Sequence, residues 1–132
     1  MGADVAINYR TSANWVKAVR AESDGGPSLV VDSAGGDTFA KCLGVARYGA
    51  RVVTYGGTSG DATIRMFDVF WKQLDVMGTS MGSPDDFAGM LALFEAGLRP
   101  AVATVLPIER VAEAAQRVLD AEQFGKVVLA VG

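Results

Sequence analysis

The sequence has no histidine, one cysteine and 4 prolines among 132 residues. Without histidine the commonest general base is missing, and so is any serine–histidine pair. One cysteine cannot close an internal disulfide, and with only dispersed acids beside it a zinc site built within this chain is not expected. The lone thiol of Cys42 fits a reducing compartment, so a cytoplasmic location is expected. No apolar run approaches the ~20 residues that a membrane span needs, and the residues before Ala3 carry no positive-then-apolar leader pattern. Neither a membrane nor a nucleic acid is an expected partner, because 12 basic residues are scattered among 15 acids with no basic stripe.

What the chain has is apolar bulk. Half its residues are hydrophobic, and the mean hydropathy of +0.25 is high for a chain of this size. Some of that surface is expected to face other protein. The length suits one domain with a true core.

Three apolar runs stop at glycine or small residues: Leu29 to Gly36, Arg51 to Gly57, and Asp75 to Ser80. They are too uniform to alternate, which predicts parallel strands buried on both faces. Val5 to Tyr9 predicts another strand, followed by a helix capped at Ser12 with Trp15, Val16 and Val19 on one face. Asp37 is the expected N-cap of a helix burying Phe39, Cys42, Leu43 and Ala46, with Gly49 as its left-handed end. A shorter helix carries Phe67, Phe70, Trp71 and Leu74 on one face, a pattern better explained by packing than by a substrate pocket. Ser83, Pro84, Asp85 and Asp86 make a strong helix start. That helix is expected to bury Phe87, Met90, Leu91 and Phe94 and to stop at Gly97. A strand over Ala101 to Leu106, a helix with Val111, Ala114, Ala115, Val118 and Leu119, and a strand from Lys126 to Val131 complete the chain. Strand and helix alternate strictly, which is α/β with a parallel sheet.

Gly2 to Tyr9, Val31 to Gly35, Gly49 to Val53 and Gly125 to Leu129 together resemble the medium-chain dehydrogenase/reductase superfamily. Its members include zinc-type alcohol dehydrogenases and zinc-free quinone oxidoreductases. The resemblance implies an incomplete Rossmann-like parallel sheet, strands 3 to 6 of a doubly wound fold, with a C-terminal strand-helix-strand return. It divides the chain into a partial dinucleotide-binding region, residues 1–97, and a segment 98–132 that returns to a catalytic domain. The glycine-rich phosphate loop and the N-terminal catalytic domain are missing from this sequence, so a truncated form of a longer protein is expected.

The resemblance also implies a cofactor, NADP or NAD, and no metal in this chain. It places Tyr9 near the adenosine end, where a ring stacks and a hydroxyl reaches a phosphate, although an ordinary strand-end aromatic fits as well. Ser33, Ala34 and Gly35 would form the turn beside the adenine. Tyr55, Gly56, Gly57 and Thr58, with Gly78, Thr79 and Ser80, would face the ribose and nicotinamide. Lys126 would reach the cofactor phosphates, or be a solvated lysine. Asp32 reads as a backbone-bonding turn residue rather than a catalytic acid, and Cys42 as inert core. The implied activity is hydride transfer by an NAD(P)-dependent oxidoreductase of which this chain alone is inactive. Homo-oligomers are expected, because unpaired strand edges recruit other strands. A non-catalytic association domain and a non-enzymatic nucleotide-binding module remain alternatives.

Overall fold

The structure, a computed structural model, describes residues 2–121 and 123–132. The chain forms two compact units, the first ending at Met81 and the second running Gly82–Gly132. The first contains α1 (Trp15–Glu22), β1 (Leu29–Asp32), α2 (Gly36–Val45), β2 (Arg51–Thr54), α3 (Met66–Trp71) and β3 (Asp75–Gly78). The second contains α4 (Pro84–Glu95), β4 (Val102–Pro107), α5 (Val111–Leu119) and β5 (Lys126–Ala130). This division precedes the expected functional boundary at 97/98 and puts α4 with the second unit.

In the first unit β1, β2 and β3 form one parallel sheet in that order. The expected α/β class and parallel pairing are thus observed. The register aligns Asp32 with Thr54 and Thr54 with Gly78, so all three strands end level along one edge. Turns after parallel strands therefore gather on that edge, the usual seat of ligands in open α/β sheets.

The core sits where α2 meets this sheet. Phe39, Cys42, Leu43 and Ala46 are buried with Ala50, Val52 and Leu74, and Trp15, Val30, Ile64 and Val69 pack around them. The carbonyls ending α2 would otherwise lack partners. Lys72 Nζ donates to the carbonyls of Leu43 at 3.0 Å, Gly44 at 2.6 Å and Ala46 at 3.2 Å. Arg20 adds a second donor to Gly44 O at 2.9 Å. Burial, and then the nearby Arg20 charge, lower the Lys72 pKa. Sequence periodicity gives no hint of this cap, because Lys72 lies 26 residues from Ala46 along the chain.

Several expectations need correction. Val5 to Tyr9 is not a strand. A strand exists only through ladder bonds to a neighbour, and among the described residues none of β1 to β5 pairs with it. The segment ends in a turn, with Ser12 N–H donating to Asn8 O at 2.9 Å. Asn14, not Ser12, caps α1, its side chain accepting from Lys17 N–H. Gly35 rather than Asp37 is the N-cap of α2, and Asp37 falls in the first turn. Positive φ at Gly35 (+72°) and Gly36 (+54°) turns the chain sharply enough to start the helix earlier. Gly49 does adopt a positive φ, +67°. However, α2 has already ended at Ala46, and Gly49 serves the turn before β2, its N–H donating to Lys72 O at 2.7 Å.

Only β2 approaches burial on both faces, with Val52 buried and Val53 half-buried; Leu29 and Val31 are exposed, as is all of β3. α2 covers one face of the sheet, which leaves alternate side chains of β1 in solvent. The α3 aromatics do not pack into the core either. Phe67 stacks on Trp71 and meets Phe70 edge-on, and all three rings are exposed.

In the second unit β4 and β5 pair in parallel, with Leu106 and Ala114 buried. α4 starts as expected, with Ser83 as N-cap, Pro84 at the first position and a full capping box to Asp86. Its expected buried stripe is not buried. Phe87, Met90 and Leu91 are exposed and only Phe94 is half-buried, because within the second unit the described residues bring no apolar surface against them. No helix of the described residues is long and apolar enough to cross a membrane.

Candidate functional site

The level strand ends carry two glycine turns that are bonded into one another. Ser59 N–H donates to Ala34 O at 2.8 Å, and Gly36 N–H donates to Gly60 O at 3.0 Å. The close approach needs glycine. A Cβ on Gly35 would lie 2.9 Å from Gly57 Cα, and one on Gly56 only 2.6 Å from Ser33 O. Gly35, Gly56 and Gly57 are therefore brought together, as are Ser33 and Ala34 with the second turn. Tyr55 is exposed beside them, its N–H donating to Asp32 O at 3.1 Å. Thr58 is also exposed.

Gly78 ends β3 on the same edge, followed by Thr79 and Ser80, all exposed. Thr79 N–H extends the ladder to Thr54 O at 3.0 Å. Nothing lies within 4 Å of a Cβ built on Gly78, and its φ is not positive. The fold therefore does not require glycine there.

Tyr9, Ser33 and Ala34 line one cavity of about 330 Å³ with Trp15, Thr38 and Cys42. Periodicity assigned Trp15 and Cys42 to the core alone; their place at the cavity wall depends on how α1 and α2 approach β1. The Cys42 thiol is pushed up to about 11 by burial and then by the neighbouring Asp32 charge. It is protonated at neutral pH and a poor nucleophile. Asp32 is buried and accepts from Gly35 N–H at 2.9 Å and from the Thr54 hydroxyl at 3.3 Å. It acts on the turns, as its residue type suggests.

The N-terminus of α2 is partly engaged. Its first amides bond to Asp32 and to Gly60 O, and Asp37 adds negative charge in the first turn. It offers a poor seat for a phosphate. Lys126 lies in the second unit, exposed at the start of β5, with its N–H donating to Ala101 O at 2.8 Å.

Comparison with known proteins places this geometry among dehydrogenases. The family model described as zinc-binding dehydrogenase matches residues 1–96. A solved NAD-dependent alcohol dehydrogenase is 36% identical with a TM-score of 0.87, covering 99% of this chain and 39% of that one. The 2-octenoyl-CoA carboxylase reductase CinF, solved with NADP and 2-octenoyl-CoA, is 30% identical with a TM-score of 0.80, covering 88% of this chain and 26% of that one. The zinc-type alcohol dehydrogenase-like protein YogA of Leptosphaeria maculans is 28% identical over 98% of this chain and 38% of its own length. The chain thus spans well under half the length of the relatives it matches.

Proposed function

Because the chain belongs to the zinc-binding dehydrogenase family, we propose that it forms one side of the cofactor pocket of an NAD(P)-dependent oxidoreductase. The observation that carries this reading is the level edge of parallel strand ends, where two interlocked glycine turns adjoin the Tyr9 cavity. Tyr9, Ser33, Ala34 and Gly35 would hold the adenosine end. Tyr55, Gly56, Gly57, Thr58, Gly78, Thr79 and Ser80 would present exposed backbone and hydroxyl groups to the ribose and nicotinamide. Lys126, in the second unit, would be a separate candidate for a cofactor phosphate. The bound nicotinamide supplies the hydride chemistry, while the protein orients it and excludes water.

Zinc does not fit this chain. It has no histidine and one cysteine, and among the described residues no group of three or more metal-ligating side chains converges.

In this reading residues 1–97 belong to the dinucleotide-binding domain of a longer polypeptide and 98–132 return to its catalytic domain. A cytoplasmic setting, where Cys42 stays reduced, is part of the same proposal. So is self-association, supported by the exposed β3 edge with its unpaired backbone groups. Light scattering on the chain at high micromolar concentration should give a mass above 13.8 kDa; a stable monomer would remove self-association from the proposal. The non-catalytic association reading rests on that same edge and predicts oligomers with no nucleotide response.

The cofactor reading is tested by titrating the chain with 5′-AMP, nicotinamide mononucleotide and NADPH while following backbone amide shifts. AMP should bind weakly, at roughly millimolar affinity, and perturb Tyr9 and Ser33 to Gly35. NADPH should gain little over AMP, because neither the α2 N-terminus nor any glycine-rich loop cradles the pyrophosphate. No response in those residues would overturn this assignment, whereas micromolar NADPH binding would overturn the expectation that the pyrophosphate finds no cradle here.

A further inference from the structure

Asp32 is the one charged side chain buried among the described residues, at 4% exposure. Burying a carboxylate is unfavourable unless hydrogen bonds replace its water. Both replacement bonds come from the glycine turns and their strand ends, not from the core. Oδ2 accepts from Gly35 N–H in the first turn at 2.9 Å and from Thr54 Oγ1, where β2 enters the second, at 3.3 Å. Thr54 has one hydroxyl proton and two acceptors, Asp32 Oδ2 and Gly56 O, the latter at 3.2 Å. An acceptor-only carboxylate attracts that proton more strongly than a neutral carbonyl does. The carboxylate therefore bridges two segments 22 residues apart in sequence, at the point where they approach most closely.

Resting on the cofactor-pocket reading, we propose that Asp32 is a positioning residue. It fixes the separation of the turn Ser33 to Gly36 from the turn Tyr55 to Gly60, and so aims the ligand-facing backbone of both. It acts through hydrogen-bond geometry rather than through its charge. An asparagine can reproduce that geometry. With its Oδ1 in the place of the Asp32 Oδ2, it accepts from both Gly35 N–H and the Thr54 hydroxyl.

The test uses Asp32→Ala, Asp32→Asn and Thr54→Val in the whole chain, with 5′-AMP as probe and backbone amide spectra as readout. Asp32→Ala should bind AMP roughly tenfold more weakly, the loss expected for a broken buried hydrogen bond. It should shift the amides of Gly35, Gly36, Ser59 and Gly60 while leaving Leu43 and Val52 in place. Asp32→Asn should restore binding to within about twofold of the parent chain. Thr54→Val should shift Gly35 across the gap. Normal AMP binding by Asp32→Ala, failure of Asp32→Asn to rescue, or an unmoved Gly35 in Thr54→Val would each overturn the proposal. If Asp32→Ala does not fold, the other two variants decide it. Failure of the unsubstituted chain to bind AMP would overturn the cofactor reading and this inference together, whereas normal binding with unaffected variants overturns this inference alone.

Discussion

Helices α2 and α4 carry the same apolar spacing and meet opposite fates. Phe39, Cys42 and Leu43 of α2 are 8%, 8% and 1% exposed, whereas Phe87, Met90 and Leu91 of α4 are 59%, 38% and 44% exposed. The local signals favour the other helix. α4 has a capping box and a proline at its start, while α2 begins at a glycine with no side-chain cap bond. Caps and dipoles therefore decide where a helix begins, and only a facing surface decides whether its apolar stripe is buried. α2 has that surface in β2 and in Leu74; α4 has none among the described residues of its own unit.

The largest expected break in this comparison comes from truncating one leucine in each helix. Leu43→Ala should destabilise the first unit by about 2–5 kcal/mol, since it empties a fully enclosed site. Leu91→Ala should cost less than about 1 kcal/mol, because its side chain already faces solvent. Urea titration of both variants measures the difference. Equal losses would mean that the α4 stripe is covered in solution, as self-association through that face would produce.

The same contrast holds for glycines. Gly56→Ala drives a Cβ to 2.6 Å from Ser33 O, and should destabilise the paired turns by about 1–3 kcal/mol. Gly78→Ala meets open space and should leave stability within about 0.5 kcal/mol. Thermal melts of the two variants check this ordering. In a longer parent enzyme, Gly78→Val should then impair cofactor use far more than folding. An unchanged cofactor KM and turnover would remove Gly78 from the proposed site.

The smallest effect sharpens the view of α4 as a locally specified helix. Ser83→Ala should weaken its first turn by about 1 kcal/mol, detectable as faster amide exchange over Asp85 to Phe87. Hydrogen bonds from the Ser83 backbone N–H, then from its hydroxyl, hold the Asp86 carboxyl below its ordinary 3.8. A depressed folded pKa stabilises the helix start above pH 3.8 and loses that contribution as pH falls through the lower folded value. The acid loss should be present in the parent chain and reduced, not abolished, in Ser83→Ala, which keeps the backbone N–H bond to Asp86.

Much of this architecture could be read along the chain. The α4 start, the positive φ at Gly97 and the strands ending at Asp32, Thr54 and Gly78 all follow from short-range chemistry. The candidate site was legible in outline, since each glycine turn is visible by itself. Its interlocking was not. The bonds from Ser59 to Ala34 and from Thr54 to Asp32 join segments far apart in sequence, which no periodicity can register. The Lys72 cap of α2 escaped for the same reason. The opposite error arose at Val5 to Tyr9, where β propensity predicted a strand that found no ladder partner.

By itself the sequence determined the alternation of elements from β1 onward, the parallel α/β class, the start of α4 and the apolar face of each helix, because each depends on residues within a few positions of one another. Only the tertiary structure decided which of those faces is buried, that Trp15 and Cys42 share a cavity with Tyr9, and that Asp32 joins the two turns. Those outcomes depend on which segments approach across the sheet, and no single stretch of chain holds that information.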